Sequence, residues 1–123
     1  MMLPKFKPKP TPAARARDLF PGALEIMILQ ILQRQPMHGY ALVLHIQQRS
    51  QDLLQVEEGS LYPALQRMLK AGLVEAEWTL SPTKRRVRTY RTTAAGTRHL
   101  DRELSRFEQM FRGIALVLRP HAS

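Results

Sequence analysis

The sequence predicts a mainly α chain with a small β-hairpin wing, the element order of a winged helix-turn-helix followed by one long carboxy-terminal helix. Three observations carry this expectation. Three short stretches have apolar residues at the three-and-four spacing of helices. A following stretch switches to the two-residue alternation of strands. The last stretch resumes the helical spacing in a heptad-like seam. The 123 residues suit one domain, with 44% hydrophobic residues enough for a shared core.

Residues 1–21 precede these elements and hold five of the nine prolines with Lys5, Lys7, Lys9, Arg15 and Arg17 against the single acid Asp18. Proline blocks helix and ladder formation while like charges repel, so this part is expected to be an extended, flexible arm. A contact with nucleic-acid phosphate and no role at all are both open for it.

The first helix is expected over Ala23 to Gln33, where Leu24, Met27, Ile28, Ile31 and Leu32 share a face. Pro36 ends it, because the residue before proline is pushed out of the α region. A second helix follows from about His38 to Ser50, burying Tyr40, Val43, Leu44 and Ile46, and Asp52 to Val56 reads as an extended link. The third helix spans roughly Glu58 to Ala71, with Leu61, Leu65, Met68 and Leu69 inward. Glu57 and Glu58 suit the positive end of its dipole, and Pro63 is tolerable near the first turn. Gly72 supplies the left-handed residue that closes it.

Val74, Ala76, Trp78 and Leu80 then alternate with polar neighbours, Ser81-Pro82-Thr83 makes a turn, and Arg86 to Thr92 alternates again. This is a two-stranded hairpin whose tip is basic, with Lys84, Arg85, Arg86, Arg88 and Arg91 uninterrupted by any acid. Trp78 is expected to be core. Thr93 caps the last helix, which runs to about Leu118. Its Leu100, Leu104, Phe107, Phe111, Ile114 and Leu118 have the spacing of helix pairing, and so long a helix needs a partner for part of that seam.

Nineteen Lys and Arg against ten Asp and Glu give a formal charge of +9, for which nucleic acid is the commonest partner. The absence of cysteine removes disulfides and thiolate chemistry and fits a reducing cytoplasm. No apolar run is long enough to span a bilayer, and the amino-terminal MMLPKFKPKP lacks the apolar core of a signal peptide. His38, His45, His99 and His121 form no close metal-ligand pair. No glycine-rich phosphate loop or nucleophile turn is present, so the chain is expected to be no enzyme and to need no cofactor or metal.

The segments PMHGYALVLHIQQRS at 36–50, VEEGSLYPALQRMLKAGLVEAEW at 56–78 and RRVRTYRTTAAG at 85–96 resemble the PadR family of winged-helix transcriptional regulators, GSLYPAL being the most specific. The resemblance implies a homodimer that binds operator DNA, usually as a repressor, with the carboxy-terminal helix forming the dimer. It implies that Ser60, Tyr62 and Pro63 lie at the DNA-facing start of the third helix with Tyr40 packed beneath. Two features depart from the family pattern. Thr89 and Thr92 stand where an aromatic and an aliphatic residue are common, so the second wing strand is expected to pack less tightly. The carboxy-terminal region has room for one helix only.

The expected organisation is a flexible basic arm over 1–21, a DNA-binding winged helix-turn-helix over 22–93 and a dimerisation helix over 94–119. Candidate DNA contacts are Ser60, Tyr62, Pro63 and Arg67 on the third helix, Arg67 as a guanine reader or phosphate partner, with Lys84, Arg85, Arg86 and Arg88 as phosphate contacts. The candidate dimer interface is Leu100, Leu104, Phe107, Phe111, Ile114 and Leu118. Phe107, Met110 and Phe111 also suggest a small apolar effector near the seam. A winged helix used as a protein-interaction adaptor, without an operator of its own, stays open because a fold does not dictate its use.

Overall fold

A computed structural model describes residues 12–120. In chain order these form β1 (Ala14–Arg15), a single 3-10 turn (Ala16–Asp18), α1 (Ala23–Arg34), β2 (Met37–His38), α2 (Gly39–Arg49), β3 (Leu54–Gln55), α3 (Glu58–Lys70), β4 (Val74–Leu80), β5 (Arg86–Thr92) and α4 (Ala94–Leu118). The architecture is the expected winged helix-turn-helix with a long terminal helix.

The core lies where α1 meets α2, α3, β5 and α4. Ile28, Leu29, Leu42, Val56, Leu61, Leu65 and Met68 are its largest fully buried side chains. Because α1 is packed on several sides, Ile26 and Leu29 are buried along with the expected Leu24, Ile28 and Leu32. Truncating a residue such as Leu65 to alanine would cost about 2–5 kcal/mol, since so enclosed a site cannot collapse around the cavity.

The end of α3 follows from Gly72, which adopts φ +73. The Leu73 N–H donates to the Met68 carbonyl at 2.9 Å and the Gly72 N–H to the Leu69 carbonyl at 3.1 Å. These two bonds satisfy carbonyls that a helix end otherwise leaves open and turn the chain into β4. The Thr93 hydroxyl then accepts the Gly96 N–H at 3.0 Å and donates to the Gly72 carbonyl at 2.6 Å, tying the start of α4 to that turn.

Several expectations need correction. On the second helix Ile46 is buried and Val43 half-buried against the core as expected, but Leu42 is buried with them while Tyr40 and Leu44 are exposed. Its apolar residues are too many for their spacing to select a face, and the side that includes Gly39 packs inward. Pro63 sits as the sixth residue of α3, in the second turn rather than the first. Within the segment expected to be a flexible arm, β1 pairs in parallel with β3, Ala14 opposite Leu54 and Arg15 opposite Gln55. Residues 1–11 of that arm lie outside the described residues.

The hairpin pairs β4 with β5 from Val74 opposite Thr92 to Leu80 opposite Arg86, as the alternation predicts. A short third strand, β2, adds to the free edge of β5 and was not legible in the sequence. The Thr79 and Thr89 hydroxyls lie 2.7 Å apart, so a cross-strand hydrogen bond replaces the apolar contact that Thr89 cannot make.

Along α4 the heptad seam divides. Leu100 is 4% exposed within its own protomer, and Leu104 and Phe107 pack against the same core. Phe107 meets Phe20 edge to face at 6.2 Å between centroids. Leu100 is therefore taken up by the core of its own protomer, where α1 packs on α4, rather than left exposed as the seam spacing suggested. Phe111, Ile114 and Leu118 are exposed.

Candidate nucleic-acid interface

Across an antiparallel pair, directly opposed residues point to the same face, so the hairpin register sorts the wing. Ala76 and the buried Tyr90 face the core, and beyond them on the same face come Trp78 opposite Arg88 and Leu80 opposite Arg86. The strands outrun the helices they cover. Trp78 is consequently 60% exposed rather than core, and the Arg86 guanidinium lies 5.0 Å from its ring centroid. That contact stiffens a long cationic side chain without cancelling its charge.

The opposite face of the wing is chemically different. There Arg91 forms ion pairs with both Glu75 and Glu77, which removes it from the basic set read in the sequence. Among the described residues, Lys84, Arg85, Arg86 and Arg88 form no ion pair. The tip itself is tightly closed: the Ser81 N–H donates to the Arg85 carbonyl and the Lys84 N–H to the Ser81 carbonyl, both at 2.8 Å. Lys84 takes φ +61 to make this turn.

Tyr62 stands on α3 across from the wing and is 39% exposed. Its ring lies over Gly39, where a Cβ would come within 2.6 Å of the Tyr62 Cε1. The side chain is thus held by the start of α2, which is itself capped by His38 Nδ1 accepting the Ala41 N–H at 3.3 Å. Partial burial raises the Tyr62 pKa above its ordinary value, helped by the Glu58 carboxylate and by Tyr90. The hydroxyl stays protonated and can donate a hydrogen bond to an anion.

His38, Tyr40, Tyr62, Trp78, Arg86 and Arg88 line one open cleft of about 620 Å³ between the helices and the wing. Tyr40 lies in this cleft rather than beneath Tyr62. Sequence reasoning missed Tyr40 and Trp78 as surface residues; only the length of the wing relative to the core could have signalled Trp78.

The other sequence candidates fall on a second side of α3. Ser60, Pro63 and Arg67 border a groove of about 360 Å³ shared with Arg17, Phe20 and Glu25. Arg67 Nη2 donates to Glu25 Oε1 at 2.9 Å, so its charge is already paired. Between the two sides, Gly59, Tyr62, Pro63, Gln66 and Lys70 form an exposed stripe along α3. Gln66 and Lys70 were not singled out from sequence, where they read as ordinary solvent positions.

Three helices, an exposed third helix and a hairpin wing with unpaired cations beside it define a winged helix-turn-helix protein. A sequence profile of the transcriptional regulator PadR-like family matches residues 28–102, more than half of the chain. The chain belongs to that family, whose members are transcriptional regulators rather than enzymes. It is similar to a PadR family transcriptional regulator of Eggerthella lenta, at 30% identity and TM-score 0.69 over 82% of this chain and 86% of that one. A PadR-like transcriptional regulator of Bacillus cereus is 27% identical with TM-score 0.71, covering 82% of this chain and 96% of that one. The fold also matches Bacillus subtilis PadR in complex with operator DNA, with TM-score 0.60 at 22% identity over 66% of this chain and 46% of that one. Among the described residues, no helix is long and apolar enough to cross a membrane.

Proposed function

We propose that this protein is a cytoplasmic, sequence-specific repressor that binds duplex operator DNA as a homodimer. The observation that carries the reading is the unpaired wing cations Lys84, Arg85, Arg86 and Arg88 beside the exposed stripe of α3. In this arrangement α3 enters the major groove, with Ser60, Tyr62 and Pro63 at its leading end, while the wing grips the backbone. The Bacillus subtilis relative, bound to operator DNA, supports the same use of the fold. Arg67 has a lesser part, since a phosphate or guanine must first compete with Glu25 for it.

Dimerisation falls to the second half of α4, through Phe111, Ile114 and Leu118, which are exposed large apolar side chains in the protomer. Phe107 stacks on Phe111 at 6.3 Å between centroids and bridges the inner core to that seam. Two copies related by a two-fold axis would read half-sites roughly 34 Å apart. An apolar effector would act at Met110 and Phe111, Phe107 being engaged by Phe20, and would alter operator affinity only by preferring one dimer geometry.

The test is titration of a duplex recovered by selection from the source genome against a scrambled duplex of equal length. Two protomers per duplex and preference for the selected sequence are expected. Equal affinity for both sequences at every salt concentration would refute the proposal, and a defined protein partner without recoverable DNA would favour the adaptor.

A further inference from the structure

The side of α3 away from the wing has a cationic neighbour of its own. The Ala14 N–H donates to the Leu53 carbonyl at 3.0 Å, and β1 runs parallel to β3, which leads through Val56 directly into α3. This pairing straps Arg15 and Arg17 beside the first turn of that helix. The Arg15 guanidinium pairs with the carboxylate of Glu57, the residue that caps α3. Arg17 is exposed and forms no ion pair among the described residues. It lines the same open groove as Gly59, Ser60, Pro63 and Arg67. A Cβ built on Gly59 would meet nothing within 4 Å, so the turn is clear for the backbone of another molecule to approach. The strap lies before residue 28, where the match to the family begins.

Resting on the duplex-DNA reading above, we infer that the strap is a second phosphate-binding edge. Arg17 contacts a backbone phosphate on the side of α3 opposite the wing, and Arg15 cancels the Glu57 charge that would repel it. A helix in the major groove has a phosphate ridge on each side, the groove being about 12 Å wide. The wing faces one ridge and the strap faces the other. A carboxylate repels a phosphate that comes within the screening length of roughly 8–10 Å, so the neutralisation of Glu57 by Arg15 matters at the first turn.

Four variants of the full chain test this against selected and scrambled duplexes over about 50 to 200 mM salt. Arg17→Ala is expected to weaken both duplexes alike, roughly tenfold, and to lower the slope of log affinity against log salt by about 0.9 per bound protomer. Arg15→Ala should also weaken binding, and combining it with Glu57→Gln should restore affinity to within about twofold, because the carboxylate that Arg15 compensates is then gone as well, while Asp18 and Glu58 are the same in every variant. Ala14→Pro keeps every charge but removes the N–H that holds the strap, and should reproduce the Arg17→Ala loss. An unchanged salt slope in Arg17→Ala, or no rescue by Glu57→Gln, would overturn the inference. If Arg85→Ala and Tyr62→Ala weaken binding while the strap variants do not, the DNA reading stands and only the strap fails. No duplex binding by the unaltered protein would overturn both.

Discussion

The two flanks of α3 both carry arginine, but they treat its charge in opposite ways. On the wing flank Arg85, Arg86 and Arg88 sit on a hairpin with the acids Glu75 and Glu77 turned to the other face, where they occupy Arg91. On the strap flank Glu25 and Glu57 reach the arginines themselves, holding Arg67 and Arg15. Exposed ion pairs of this kind contribute little to stability, about 0–1 kcal/mol each. Their larger effect is on which cations remain free for a partner. A count of basic residues overstates the strap flank and describes the wing flank well.

The largest effect expected from this contrast is on the wing. Replacing Arg85 and Arg86 together by alanine should lower affinity for all duplexes about a hundredfold at moderate salt and flatten the salt dependence, as measured by fluorescence titration. Next comes Gly39→Ala, which forces the Tyr62 ring from its seat. Because the ring is at the exposed end of a side chain, thermal stability should change by less than about 1 kcal/mol while preference for the selected duplex falls roughly tenfold. Equal loss on both duplexes would instead assign Tyr62 to phosphate contact alone.

A smaller change should come from Glu25→Gln, which releases Arg67. Duplex affinity should rise a few-fold, with a stability cost below about 1 kcal/mol in chemical denaturation. The opposite sign would mean that the Glu25 contact presents Arg67 to DNA rather than withholding it. The smallest effect concerns the tip: Lys84 pays a conformational penalty at φ +61, so Lys84→Gly should raise the unfolding free energy by about 0.5–1 kcal/mol while weakening binding slightly. Tyr62 adds a pH signature. Its raised pKa means that its contribution to stability is intact below the ordinary tyrosine pKa and is lost as pH rises through the folded value. No Tyr62-linked change is expected between about pH 6 and 8.

Much of this arrangement was legible in sequence where local chemistry decided it. Gly72 marked the end of α3, Thr93 the start of α4, and alternation the two wing strands. What escaped depended on contacts between distant parts. The two-residue strands β1 and β2 are too short to show a period, and they exist only because β3 and β5 offer edges. The alternation put Trp78 on the same face as Val74 and Ala76 but carried no information on how far the core extends under that face. Likewise the heptad spacing of α4 could not say which residues its own protomer covers, so Leu100 and Phe111 looked equivalent. The pairing of Arg67 with Glu25 spans 42 positions and leaves no local trace.

The most direct test of the central claim is equilibrium titration of the protein with a genome-selected duplex and a scrambled one, across a range of salt, with stoichiometry fixed by sedimentation. The expected result is two protomers per selected duplex, steep weakening with salt on both sequences, and a preference for the selected sequence that survives as salt rises. Binding that shows no sequence preference at any salt would contradict the claim.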